Sequence, residues 1–238
     1  KIQMNEGVCP AYSDCRMGLS PDKFILSYCD RALGITSAEE QPVLPKGNNL
    51  SLHLLELFTS RVAKVGMTDG IRQVLQEESD ALRAYYEQAG ILIARPAGGT
   101  SCRLAISAKG GTNAENHNHN DVGSYAVALG SETMVGDQGG PNSYPGDYFN
   151  GDAPQKYKIK GSFGHPVPVV DGRTQSSGGK AKGVVLQKEF TNEKDVFSIN
   201  YTSAYSTPNL DKLIRTFVYD RQGKGSFTVG DEFTAKTP

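Results

Sequence analysis

The spacing of apolar positions changes character near residue 89 of this 238-residue chain. Before that point the rhythm is helical. Ser20-Pro21-Asp22 can begin a helix, because serine caps, proline suits the first turn and aspartate complements the dipole, and Gly34 can end it. From Leu50 the residues Leu54, Leu57, Phe58, Val62 and Val65 recur at helical spacing and stop at Gly66, which predicts an amphipathic helix. A third, more polar stretch runs from Ile71 to about Tyr86, and its acidic run Glu77, Glu78, Asp80 reads as a solvated face. His53, beside Leu52 and Leu54, reads as a structural histidine of the second helix.

After residue 89 short β-prone runs are broken by glycine, proline or asparagine. They cover 90–95, 103–107, 123–129, 132–135, 167–170, 184–190, 196–201, 213–219 and 226–229. Helices first and strands afterwards predict an α+β chain with a large antiparallel β-sandwich, and argue against alternating βαβ units. The 27 glycines and 12 prolines, most of them in this part, fit many strands joined by tight turns. The chain stops directly after a strand-like run, so truncation is expected at both ends.

Charge adds little. A formal net charge of -1 provides no global field for nucleic acid, so no nucleic-acid partner is expected and an acidic ligand needs a local basic patch. No apolar run approaches a membrane span, and no leader is visible at Lys1-Ile2-Gln3-Met4. Four cysteines without a CxxC pair do not form a disulfide framework, although the spacing leaves a single Cys9–Cys15 bridge open.

The chemistry concentrates in Asn116-His117-Asn118-His119-Asn120-Asp121, which holds two of the four histidines. In an extended segment, positions two apart share a face, so His117, His119 and Asp121 would point together. Two imidazoles and a carboxylate are ordinary zinc ligands and leave a coordination position for water. Asp137, in the turn Val135-Gly136-Asp137-Gln138-Gly139-Gly140, could be returned beside this segment by a hairpin, and His165 begins a further run. Taken alone, His-x-His occurs more often in solvated loops and structural hydrogen bonds than in metal sites.

Three ordered motifs make the pattern more specific: Asn116 to Tyr125, the Gly136-Asp137-Gln138-Gly139 turn, and Gly164-His165-Pro166-Val167-Pro168-Val169-Val170-Asp171-Gly172-Arg173-Thr174-Gln175. Together with Tyr86 to Arg95 upstream, they resemble the heparinase II/III-like polysaccharide lyase family over roughly residues 85–230. The resemblance implies that residues 1–86 are the last helices of an α/α toroid. Residues 87–238 would be the β-sandwich, incomplete at its C-terminal end, with anionic uronate polysaccharide bound in the cleft between the two parts.

Matched by position, His119, Asp137 and His165 would hold zinc. His117 would face the sugar with Tyr148 as a catalytic partner, and Tyr144 and Asn116 would bind substrate. A uronate lyase must neutralise the sugar carboxylate, take the C5 proton and protonate the oxygen leaving C4. Histidine suits the first two tasks and tyrosine the third.

The resemblance implies that the carboxylate-steadying group and main catalytic tyrosine would lie upstream of this chain, since none of Tyr12, Tyr28, Tyr85 or Tyr86 sits in a matching motif. This segment alone is therefore expected to be inactive. The resemblance also implies a periplasmic or secreted protein. Two other readings stay open: a non-catalytic carbohydrate-binding sandwich, which the absence of tryptophan disfavours, and a zinc hydrolase with Asp121 or Glu115 as base.

Overall fold

A computed structural model describes residues 4, 8–15 and 81–236. The helices expected over 20–34 and 50–66, with His53, Tyr28 and Cys29, lie outside the described residues, as does the third helical stretch except at its end. The described residues belong almost entirely to one compact unit that joins the N-terminal segment to everything from Leu82 onward. They are rich in antiparallel β-sheet and contain little helix.

Two larger sheets carry the structure. The first contains β1 (Arg83–Tyr86), β2 (Ile91–Ala94), β3 (Leu104–Lys109), β5 (Tyr125–Leu129) and β6 (Glu132–Val135), in the order β1-β2-β3-β5-β6. The second contains β8 (Val184–Phe190), β9 (Lys194–Asn200), β10 (Leu210–Asp220) and β11 (Ser226–Ala235), in the order β11-β10-β9-β8. A two-residue strand, β4 (Thr112–Asn113), pairs with β7 (Gly178–Lys182). One helical turn, α1, spans Ala153–Lys156.

A single apolar cluster takes Leu92, Ile106 and Ala108 from the first sheet and Phe197, Ile199, Leu213 and Phe217 from the second. Each large side chain buried there contributes about 1.5–3 kcal/mol. The other face of the first sheet is also covered: Ile93, Ala105, Ala126 and Ala128 pack with Met4 in a second cluster. Burial on both faces explains why β2 and β3 read as nearly continuous apolar runs instead of alternating ones. The N-terminal segment that provides this cover continues through Ala11 and Tyr12, whose hydroxyl lies 2.7 Å from Ser107 Oγ.

Three expectations change. Residues 83–86 form a strand, not the end of a helix, because tertiary contacts on alternate residues override the local pattern. Arg83 Nε donates to Asp195 Oδ1 at 2.9 Å and the Tyr85 ring packs 5.8 Å from both Phe190 and Phe197, while Tyr86 packs toward the opposite cluster. The run 167–170 forms no strand, only a Val170–Arg173 bridge, since Pro166 and Pro168 have no N–H to give a ladder. Cys9 and Cys15 are free thiols, so the bridge left open by their spacing is not formed.

Candidate functional site

The histidine-bearing segment leaves the β3–β4 region, enters β5, and is tied down by polar side chains. Gln175 donates to the Val122 carbonyl at 2.7 Å and accepts from Val122 N and Asn113 Nδ2, each at 3.0 Å. Asn120 Nδ2 donates to the Gln175 carbonyl at 3.0 Å. Below it, the buried Lys109 ammonium meets Asp121 Oδ1 at 2.7 Å and Glu115 at 3.5 Å. These contacts replace the extended segment predicted from sequence with a turn.

His117 has φ +57, a left-handed conformation that costs about 1–2 kcal/mol outside glycine. The turn separates the three side chains expected to share a face. His117 is 62% exposed, His119 is fully buried, and Asp121 is committed to Lys109. The proposed His117/His119/Asp121 ligand set is therefore not assembled. Both bases named for a hydrolase, Asp121 and Glu115, are turned to the same lysine.

A different set is brought together. His119, Asp137 and His165, all buried, each offer one ligand atom within 4.8 Å of the others. The β5–β6 hairpin returns Asp137 beside the segment leading into β5, as the sequence suggested. Its carboxylate is held at both oxygens: Gly139 N donates to Oδ1 at 2.9 Å, and His165 Nδ1 lies 2.7 Å from Oδ2. His165 follows a 3₁₀ turn over Ser162–Gly164, which is fixed in turn by Gln175 N donating to Ser162 Oγ at 2.9 Å.

Two buried ring nitrogens in this set, His119 Nδ1 and His165 Nε2, have no hydrogen-bond partner. Leaving such atoms unpaired costs about 1–3 kcal/mol each, and a metal ion is the partner that two imidazoles and a carboxylate best fit. Burial, then the neighbouring His165, lowers the His119 pKa and so favours the neutral ring. For His165 burial opposes the charged form, but the hydrogen bond and charge of Asp137 outweigh it and the pKa is raised.

Asp14 is the site residue that sequence reasoning missed. Its carboxylate meets His117 Nδ1 at 2.7 Å, His119 Nε2 at 3.1 Å and the Tyr148 hydroxyl at 3.2 Å. Nothing in the local sequence marks it; the docking of residues 8–15 on the first sheet delivers it. Gly139 and Gly140 receive that segment, with Gly140 N donating to the Cys15 carbonyl at 2.9 Å. Gly139 has φ +62, and a Cβ there would meet the Cys15 oxygen at 1.6 Å.

The tyrosines divide by exposure. Tyr148 is 1% exposed with its hydroxyl turned to Asp14 and His119, and burial followed by the Asp14 charge raises its pKa above the ordinary tyrosine range. Tyr144 is 42% exposed, its ring 5.1 Å from those of Tyr148 and Phe149. Asn116 is exposed on the same turn as His117. No helix among the described residues is long and apolar enough to cross a membrane.

No family model matches the chain, and no curated protein does. Solved structures do. The chain is similar to a crystal structure of a mutant of the heparan sulfate lyase HepC from Pedobacter heparinus, with a TM-score of 0.63 and 15% identity over 99% of this chain and 31% of that one. It is also similar to heparinase III, the BT4657 gene product, with a TM-score of 0.60 and 12% identity over 99% of this chain and 31% of that one. At these identities the likeness is one of fold, and the chain spans about a third of its neighbours' length.

Proposed function

We propose that this chain is the histidine-bearing β-rich part of a heparinase II/III-type polysaccharide lyase, acting on uronic-acid-containing anionic polysaccharide by β-elimination. The observation that carries the reading is the convergence of His117, His119, Asp137, His165 and Tyr148 at one end of a fold shared with heparan sulfate lyases. On this reading the two larger sheets form the lyase β-sandwich, and the helical stretches expected from sequence over residues 20–34 and 50–66 belong to the toroid. A polymeric acidic substrate implies a periplasmic or secreted protein.

His119, Asp137 and His165 would hold a zinc ion, which would fix the surrounding loops and supply a positive charge beside the cleft. His117 is the exposed member of the histidine pair, and its ring is fixed from behind by Asp14. It can donate to the sugar carboxylate or receive the C5 proton. Tyr148 is held as a neutral phenol, the form that can give a proton to the oxygen leaving C4. Tyr144 and Asn116 would bind substrate at the rim. The remaining groups around the sugar would come from the rest of a protein of the neighbours' length.

The test is His117→Ala in such a longer polypeptide. The substitution should leave zinc content and thermal stability in place and reduce turnover on heparan sulfate by at least about 100-fold, the scale of a lost acid–base or charge-stabilising group. Loss of zinc without loss of turnover per folded molecule would reverse the assignment.

A further inference from the structure

A cavity of about 240 Å³ opens beside His117, with Asn118, Phe149 and Lys160 in its wall. It lies near the lower end of ligand cavities, roughly 300 Å³, which is room for one sugar ring and not for several. Lys160 is only 5% exposed. Its ammonium donates to the Tyr148 carbonyl at 3.0 Å and stands 4.4 Å from the Tyr148 ring centre and 5.1 Å from that of Phe149. An ammonium has three donors, and this one has a single oxygen acceptor and forms no ion pair among the described residues.

The contrast with Lys109 is informative. That lysine is fully buried and meets two carboxylates, which is how a buried cation is normally compensated. Lys160 has aromatic faces instead. Burial lowers its pKa, and Asp14, engaged with His117, His119 and Tyr148, offsets this only in part. The Glu115 carboxylate also borders the cavity but faces Lys109. Asn118 lines the same wall, its Nδ2 donating to Asn120 Oδ1 at 3.2 Å. Phe149 is 54% exposed and its ring meets that of His117 edge-on at 5.4 Å, so it presents an apolar face of the kind on which a pyranose ring can lie.

We infer that Lys160 is the charge-reading residue of an acidic-sugar subsite next to His117. A sugar ring would rest on Phe149 while its anionic group completes the lysine's unfilled donors. The inference rests on the lyase reading and adds to it the residue that selects an acidic sugar over a neutral one. The shared chemistry is a monoanion on a pyranose, either a carboxylate or an N-sulfate group, and the two are separated by the choice of probe.

The experiment is calorimetric binding of the 238-residue chain to three tetrasaccharides of identical backbone: one bearing glucuronate carboxylates only, its carboxyl-reduced neutral counterpart, and the neutral counterpart carrying N-sulfate. Wild type should prefer at least one anionic probe to the neutral one by about tenfold to a hundredfold, the range of one charge-assisted hydrogen bond. Lys160→Met should remove that preference while leaving affinity for the neutral probe within about twofold, and Lys160→Arg should keep it. Preference for the carboxylate probe assigns the subsite to uronate; preference for the N-sulfated probe assigns it to the sulfate.

Undiminished preference in folded Lys160→Met overturns the role of Lys160 and leaves the lyase reading standing. No preference by wild type overturns the subsite itself, whereas the lyase reading is decided separately by product chemistry. If Lys160→Met does not fold, loss of preference in Lys160→Arg overturns the inference equally, because that variant retains the charge.

Discussion

Replacing Asp14 with alanine removes a carboxylate, itself 6% exposed, from three donors at once. The His117 contact involves a side chain that is 62% exposed, so water screens it and it contributes little. The contacts with His119 and Tyr148 are buried, and losing a charge-assisted bond there costs about 1.5–3 kcal/mol. His119 Nε2 and the Tyr148 hydroxyl lie 3.4 Å apart and can partly satisfy one another, so the total should be nearer one such bond than two, about 2–3 kcal/mol.

The same substitution frees the His119 ring to turn. A carboxylate on the ring nitrogen opposite the ligating one orients a metal-bound histidine, and its loss typically lowers metal affinity about 10–100-fold. Urea unfolding in the presence of chelator measures the first effect, and competition titration with zinc measures the second. Asp14→Asn, which keeps one acceptor oxygen, should fall between wild type and alanine in both. Zinc affinity unchanged together with a stability loss below about 0.5 kcal/mol, the scale of an ordinary surface substitution, would refute the docking of residues 8–15 at the site.

Gly139→Ala should destabilise by at least about 2 kcal/mol, because the left-handed backbone and the collision with the Cys15 carbonyl act together; a change in urea midpoint too small to detect contradicts the contact. Purified protein should carry about one zinc per chain, and His165→Ala should carry none, as read by elemental analysis; full zinc content in that variant removes His165 from the ligand set. In metal-free protein the raised His165 pKa contributes stability below the ordinary histidine value of about 6.5, and that contribution is lost as pH rises through the raised value. Zinc requires the neutral ring, so zinc affinity should rise as pH rises through that raised value, and affinity that stays flat from the ordinary histidine value upward contradicts the assignment.

Much of the β-rich part was legible because its strands are β-branched runs bounded by glycine. Residues 132–135 and 184–190 form strands over the spans expected from sequence. What escaped was decided by contacts distant in the chain. Residues 83–86 become a strand through Asp195, Phe190 and Phe197. The assumption that polar residues before a strand are themselves extended misplaced Asp121, which the Lys109 ammonium draws inward. Asp14 lies 103 residues from His117 with no local signal. The grouping of His119, Asp137 and His165 came from ordered motifs, and periodicity alone pointed to a set the fold does not build.

Ultraviolet absorbance of the product tests the central claim most directly, because β-elimination leaves a conjugated double bond and hydrolysis does not. A polypeptide of the neighbours' length containing this segment should release absorbing oligosaccharides from heparan sulfate or another uronate polymer such as alginate. The 238-residue chain at matched concentration should release none, since it spans about a third of the neighbours' length. Chain shortening without the new chromophore would make the protein a hydrolase, and tight binding without any shortening would make it a carbohydrate-binding domain; either result contradicts the lyase reading.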